Sequence, residues 1–156
     1  MDKKKKWLFL IPALVLVLTY FFVDKYFIHR QVQVPGVEDI RTISFVKVIH
    51  KRGVEKRTLH KKSHRIKVLH ALQDSTKTKK YSTSNYPDKE NFTLLLMELE
   101  DGTIHHSIYE EDNHFYYERP FEVIYKLNSD IYSLIDRLTE EDDIENISTD
   151  IDHLFE

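Results

Sequence analysis

The sequence predicts an α+β domain, one antiparallel sheet with two or three short helices, preceded by an N-terminal transmembrane helix. Three observations predict it. Short runs rich in β-branched and aromatic residues recur between Gly, Pro and Asn turn signals, as antiparallel strands do. Two stretches carry apolar residues at helical spacing behind a capping side chain. An uncharged apolar run, WLFLIPALVLVLTYFFV (7–23), stands near the start.

Lys3 to Lys6 lead into that run. Its helix would rise about 26 Å, and Tyr26, Phe27 and Ile28 extend it toward the roughly 30 Å of bilayer hydrocarbon. Trp7 at one end and Tyr20, Phe21, Phe22 and Tyr26 at the other sit where interfacial aromatic belts are found. The bulky exit Thr19-Tyr20-Phe21-Phe22 offers no small-x-small cleavage site, so the segment reads as a retained signal-anchor. The preceding lysines favour a cytoplasmic N-terminus. The expected division is a basic cytoplasmic start (1–6), an anchor in the lipid bilayer (7–28), a stalk (29–41), an α+β domain (42–138) outside the cell membrane, and an acidic tail (139–156).

Within the domain, TISFVKVIH (42–50) reads as a strand, Lys51-Arg52-Gly53 breaks it, and Val54 to Leu59 return as a second. Ser63 stands where an N-cap belongs, before a helix with Ile66, Leu69, His70 and Leu72 along one side. DSTKTKKYSTSNYPDKEN (74–91) reads as a long polar loop. FTLLLMELE (92–100) is apolar on both faces in its middle, as a central strand covered twice should be. Asp101-Gly102 turns it into TIHHSIYE (103–110), and a second turn leads to FYYE (115–118), which Pro120 ends. After FEVIYKLN (121–128), Ser129 is the expected cap of a helix with Ile131, Leu134, Ile135 and Leu138 on one stripe. In the acidic tail, Ile144, Ile147, Ile151 and Leu154 recur at the spacing of a further short helix.

The net charge of -3 hides an asymmetry. Residues 47–80 hold 12 Lys and Arg against 2 acidic residues, whereas residues 81–156 hold 4 basic against 20 acidic. Either half can steer a charged partner, or the two can meet in the fold and neutralise each other. Without cysteine there is no disulfide, thiol nucleophile or thiolate metal site.

The stretch 81–135 also carries a pattern of its own. Thr83-Ser84 and Pro87 precede the strand Phe92 to Leu99; Gly102, Tyr109-Glu110, Phe115-Tyr116-Tyr117-Glu118-Arg119-Pro120-Phe121 and Ile124-Tyr125 follow, then the 130–138 helix. In these features the chain resembles a small family of uncharacterised single-domain proteins of Gram-positive bacteria, exported or membrane-anchored. The resemblance implies fold and location and carries no activity.

No residue pattern points to catalysis. There is no P-loop, nucleophile elbow or HExxH, and three glycines make a poor phosphate cradle. His60 and His64 are four apart, but the expected cap at Ser63 leaves His60 outside the helix. His105 and His106 point to opposite faces of a strand. No metal and no cofactor is therefore expected, and the protein is read as not an enzyme. The candidate interaction surface combines Tyr117, Arg119 and Tyr125 with the basic residues Lys56, Arg57, Lys61 and Arg65, since tyrosine and arginine concentrate at protein interfaces. The competing reading makes Phe115, Tyr117 and Phe121 plain core.

The function expected is thus a membrane-anchored extracytoplasmic binding module, its partner an envelope protein or an anionic wall or lipid component. The alternatives are an envelope enzyme or inhibitor using the 103–125 surface, and, with reversed topology, a cytoplasmic binder of nucleic acid or another anionic polymer. Nucleic acid is disfavoured, and a small-molecule ligand is left open.

Overall fold

The computed structural model describes residues 12, 14–20, 32–140 and 143–155. Residues 14–20 are helical (α1). The domain then runs β1 (Ile40–Ile49), β2 (Arg52–Leu59), α2 (Lys62–Gln73), β3 (Ser75–Tyr81), β4 (Asn91–Leu99), β5 (Thr103–Glu111), β6 (His114–Glu118), β7 (Val123–Leu127), α3 (Ile131–Leu138), β8 (Ile144–Asp150) and a 3-10 turn (Ile151–Phe155). The strands form one eight-stranded sheet in the order β3-β7-β6-β5-β4-β1-β2-β8. Every neighbouring pair is antiparallel. The α+β class and the antiparallel sheet match the sequence expectation.

The transmembrane helix does not. Among the described residues no helix is long and apolar enough to cross a membrane. Helix α1 as described rises about 10 Å, a third of the bilayer's roughly 30 Å. Apart from Pro12 and α1, the expected anchor 7–28 and the basic start 1–6 lie outside the described residues. The bilayer partner, the single-pass cell-membrane location with its domain outside, and the membrane-anchored binding module built on them are corrected accordingly. The envelope readings of the 103–125 surface lose their premise with them.

Period-two alternation along the strands divides the core between the two faces of the sheet. On one face Phe45, Leu95, Met97, Ile108, Tyr117 and Tyr125 are buried under Val68, Leu69 and Leu72 of α2 and Ile131, Ile135 and Leu138 of α3. On the other, Val46, Val48, Leu94, Tyr109, Tyr116 and Ile124 pack with Ile151, Tyr86, Ile147 and Leu154. Both helices lie on the first face because each carries the chain across the sheet, α2 from β2 to the β3 edge and α3 from β7 to the β8 edge.

Local differences have local causes. The polar segment read as a loop contains β3, an edge strand on β7 that buries little besides Ser75 and so shows no alternation. The acidic tail contains β8, and its apolar residues face the second core from a strand and a turn. Helix α2 starts two residues earlier than its expected cap at Ser63 allows, with Lys61 at the N-cap and no side-chain cap. It buries Val68, whereas Ile66 stays exposed. For α3 the cap is Asp130 and not Ser129: its carboxylate accepts from the Ser133 backbone N–H at 3.0 Å.

The basic and acidic halves meet. Arg57 pairs with Asp136, Lys61 with Glu140, and Lys80 with Glu111. Along β2 and β8, Lys56 lies opposite Glu145 and Arg52 opposite Asp150. Much of the positive field that a polyanion would use is therefore spent inside the fold.

Candidate functional site

Helix α3 has eight residues, about 12 Å, and lies on a sheet roughly 34 Å wide. It leaves one end of its face open, beside the β1–β2 turn, and there a groove of about 710 Å³ forms. Phe45, Lys47 and Ile49 of β1 lie on its floor, flanked by Glu55 and Arg57 of β2 and by Asn91 and Thr93 of β4. Glu110 of β5 closes the far side, and Tyr132, Ile135 and Asp136 of α3 form a wall. Strand register assembles this set: Lys47 stands between Glu55 and Thr93, and Phe45 between Arg57 and Leu95.

Arg57 is the most constrained charge. Its Nε donates to Glu55 Oε1 at 2.6 Å, and a second nitrogen of its guanidinium donates to Asp136. Burial works against its charge, but the hydrogen bonds and attraction of Glu55 and Asp136 outweigh it and raise its pKa. Arg57 thereby ties β2 to α3 and shapes the wall. The Tyr132 hydroxyl donates to the Ile108 carbonyl at 3.0 Å, and its ring meets Phe115 edge-on at 5.4 Å. Burial raises its pKa, so it stays protonated as a donor. At the rim, His50 and Lys51 both hold left-handed backbone, with φ of 48° and 65°, in the two-residue turn that joins β1 to β2. The His50 N–H donates to the Glu90 carbonyl at 2.9 Å and pins this turn to the start of β4.

Of the residues singled out from sequence, only Arg57 lines the groove. Tyr117 is fully buried and its hydroxyl pairs with His106 Nδ1; Tyr125 is buried beside it. Both are core. Arg119 pairs with Glu122 at 3.0 Å, and its Nε lacks a partner. Lys56 projects from the opposite face of β2 to Arg57, Lys61 precedes α2 beside Glu140, and Arg65 donates to the His60 carbonyl. The expected composite surface is therefore scattered over both faces and the core. Phe121, grouped with the core aromatics, is instead 65% exposed at a tight turn.

The groove residues that sequence reasoning missed include Asn91, Thr93, Glu110 and Tyr132, and Lys47 was counted only as part of the basic stretch 47–80. Their signal was present. Lys47 and Thr93 sit at inward positions of strands whose other inward residues, Phe45 and Leu95, are core, so the polar substitution marks where the core stops. Among the described residues, no group of three or more His, Asp or Glu side chains is placed to hold a metal.

Comparison with known proteins adds a family and a fold. A family model described as "Domain of unknown function (DUF5300)" matches residues 28–126. A solved structure, the NMR structure of a protein from Ruminococcus gnavus, is similar with a TM-score of 0.55 and 20% sequence identity, covering 67% of this chain and 98% of the other. At that identity the likeness shows the fold alone. No curated protein shows significant similarity.

Proposed function

This chain belongs to that family of domains of unknown function, and from that premise we propose that it is a non-catalytic binding domain whose site is the groove beside α3. The observation that carries the reading is the groove itself: a concavity of about 710 Å³, within the size range of small-ligand sites, lined by apolar and polar or charged side chains in about equal measure. Its floor lies inside the segment the family shares, while the α3 wall follows it.

The state of the polar groups supports binding over chemistry. Arg57 is held by two carboxylates, and the Tyr132 hydroxyl is committed to a backbone carbonyl. Neither is poised to donate or take a proton. A ligand would meet a fixed frame, the economical arrangement for recognition.

The test is a fragment screen on the isotopically labelled full chain, read by amide shifts. Expected hits move Lys47, Asn91, Thr93 and Tyr132 together, are recovered unchanged, and lose their effect in Asn91→Trp, which fills the groove from an exposed position. Hits that map elsewhere, or that survive Asn91→Trp, overturn the assignment of the site. Turnover of a hit overturns the non-catalytic reading.

A further inference from the structure

We propose that the groove takes a small zwitterion with an apolar side chain, an α-amino acid or a dipeptide; the inference rests on the groove being the binding site. The groove holds one ammonium and one carboxylate that make no ion pair with a described residue, although the charge of Glu110 is felt at the Tyr132 phenol. Lys47 of β1 and Glu110 of β5 both line the groove, and neither makes an ion pair or a side-chain hydrogen bond among the described residues. The other groove charges are spoken for, since Glu55 and Asp136 both hold Arg57.

The strand register sets the distance between the two free charges. Lys47 stands opposite Thr93, and Thr93 opposite Ile108, with Glu110 the next residue of β5 on the same face. Two inter-strand steps and one two-residue step along a strand separate their Cα atoms by about 12 Å. At that separation the two charged ends can approach from opposite sides a molecule carrying its own carboxylate and ammonium. The Lys47 ammonium would donate to the carboxylate and the Glu110 carboxylate accept from the ammonium, both charge-assisted and short. Asn91, exposed on β4 between them, offers a donor and an acceptor at once.

The walls supply the rest. Ile49, Ile135 and the Tyr132 ring line the same space and suit an aliphatic or aromatic side chain. A ligand lacking either charge would leave Lys47 or Glu110 facing an apolar or uncharged group within the groove. Both side chains are exposed and keep water when a partner is missing, so each pairing adds the modest selectivity of a solvated ion pair.

The experiment titrates four probes into the labelled full chain: leucine, N-acetyl-leucine, leucine amide and N-acetyl-leucine amide. Leucine is expected to shift the amides of Lys47, Asn91, Thr93 and Glu110, and blocking either end to weaken binding about two- to fivefold. In Lys47→Met, leucine and leucine amide should bind alike; in Glu110→Gln, leucine and N-acetyl-leucine should. If the doubly blocked compound binds the groove as tightly as leucine, the zwitterion is overturned and the groove stands. If none of the four shifts the groove, the zwitterion is likewise overturned, and the groove falls only if the fragment screen also leaves it unmoved.

Discussion

The two faces of the sheet are covered by different means. The first carries α2 and α3, whose buried Leu72 and Ile131 have no exposed surface. The second is covered by the segment around Tyr86 and by the chain's last strand and turn, through Ile147, Ile151 and Leu154. A helix brings its own backbone hydrogen bonds and an apolar stripe, so its cover is cooperative. A loop and a short turn depend on the contacts they make, and such covers open first. The groove lies at the margin of the better-built face, alongside α3, and its floor is made of paired strands although it is open.

Core truncations should measure that difference most strongly. Ile131→Ala on α3 is expected to cost about 3 kcal/mol of global stability, in the usual range for a buried Ile. Ile151→Ala on the second face should cost about 1–2 kcal/mol, because a terminal turn can shift into the space. Urea denaturation with native-state hydrogen exchange separates the two. Equal costs, or global exchange from the second variant, would show that both faces unfold as one unit.

Acid should act through the first face. His106 is buried against Tyr117, and burial, followed by the nearby charge of Arg119, lowers its pKa to about 3. The unfolded chain takes up this proton near pH 6.5, the folded one only near 3. Stability is therefore full above about pH 6.5 and is lost progressively as pH falls toward 3. The urea midpoint should drop steeply over that window, and His106→Leu should flatten the drop. The variant also orphans the buried Tyr117 hydroxyl, at a cost of about 1–3 kcal/mol at pH 7. An unchanged slope would mean that His106 is not the group responsible.

Much of this architecture was legible before the structure. The run LLLM of β4 alternates Leu94 and Leu95 to opposite cores, which its two-sided apolarity foretold. The stripe of α3 was equally plain. What escaped was whatever depends on distant pairing. STKTKKY of β3 has no buried face to impose a period of two, and IENISTD of β8 is a strand only because β2 offers it an edge. The groove escaped for a related reason. Lys47 and Glu110 look like solvated charges in one dimension, and only the register of three strands brings them over one floor. Arg57 was singled out for its charge in a basic run, yet its role comes from Asp136, 79 residues away.

The second face also depends on one small residue. A Cβ at Gly53 would lie 3.0 Å from Val46 Cγ1, 3.1 Å from Ile147 Cδ1 and 3.3 Å from Leu154 Cδ1. The glycine lets the C-terminal segment close onto β2. Gly53→Val should therefore destabilise by about 1–2 kcal/mol through overpacking, with the loss confined to exchange protection of β8. Protection lost across β4 and β5 as well would argue that β8 is integral to the sheet and not a detachable cover.

The smallest effect concerns the other cover of that face. Glu111 accepts from Lys80 at 2.6 Å and from Lys89 at 2.5 Å, and the same lysines lie over the rings of Tyr116 and Tyr109. These contacts fasten residues 82–90 across the stacked tyrosines. Hydrogen bonds from Lys80 and then Lys89 lower the Glu111 carboxyl to about 2. Its contribution is present above the ordinary carboxylate range near 4.5 and is lost as pH falls toward 2. Being partly exposed, the cluster is also screened by salt. Glu111→Gln should speed exchange and proteolysis within 82–90 at pH 7 while leaving the global urea midpoint nearly unchanged. The wild type should show the same local loosening only in acid, or in part at high salt. If the variant shifts the global midpoint instead, the segment is an integral part of the second core, and the two faces differ in composition but not in how they come apart.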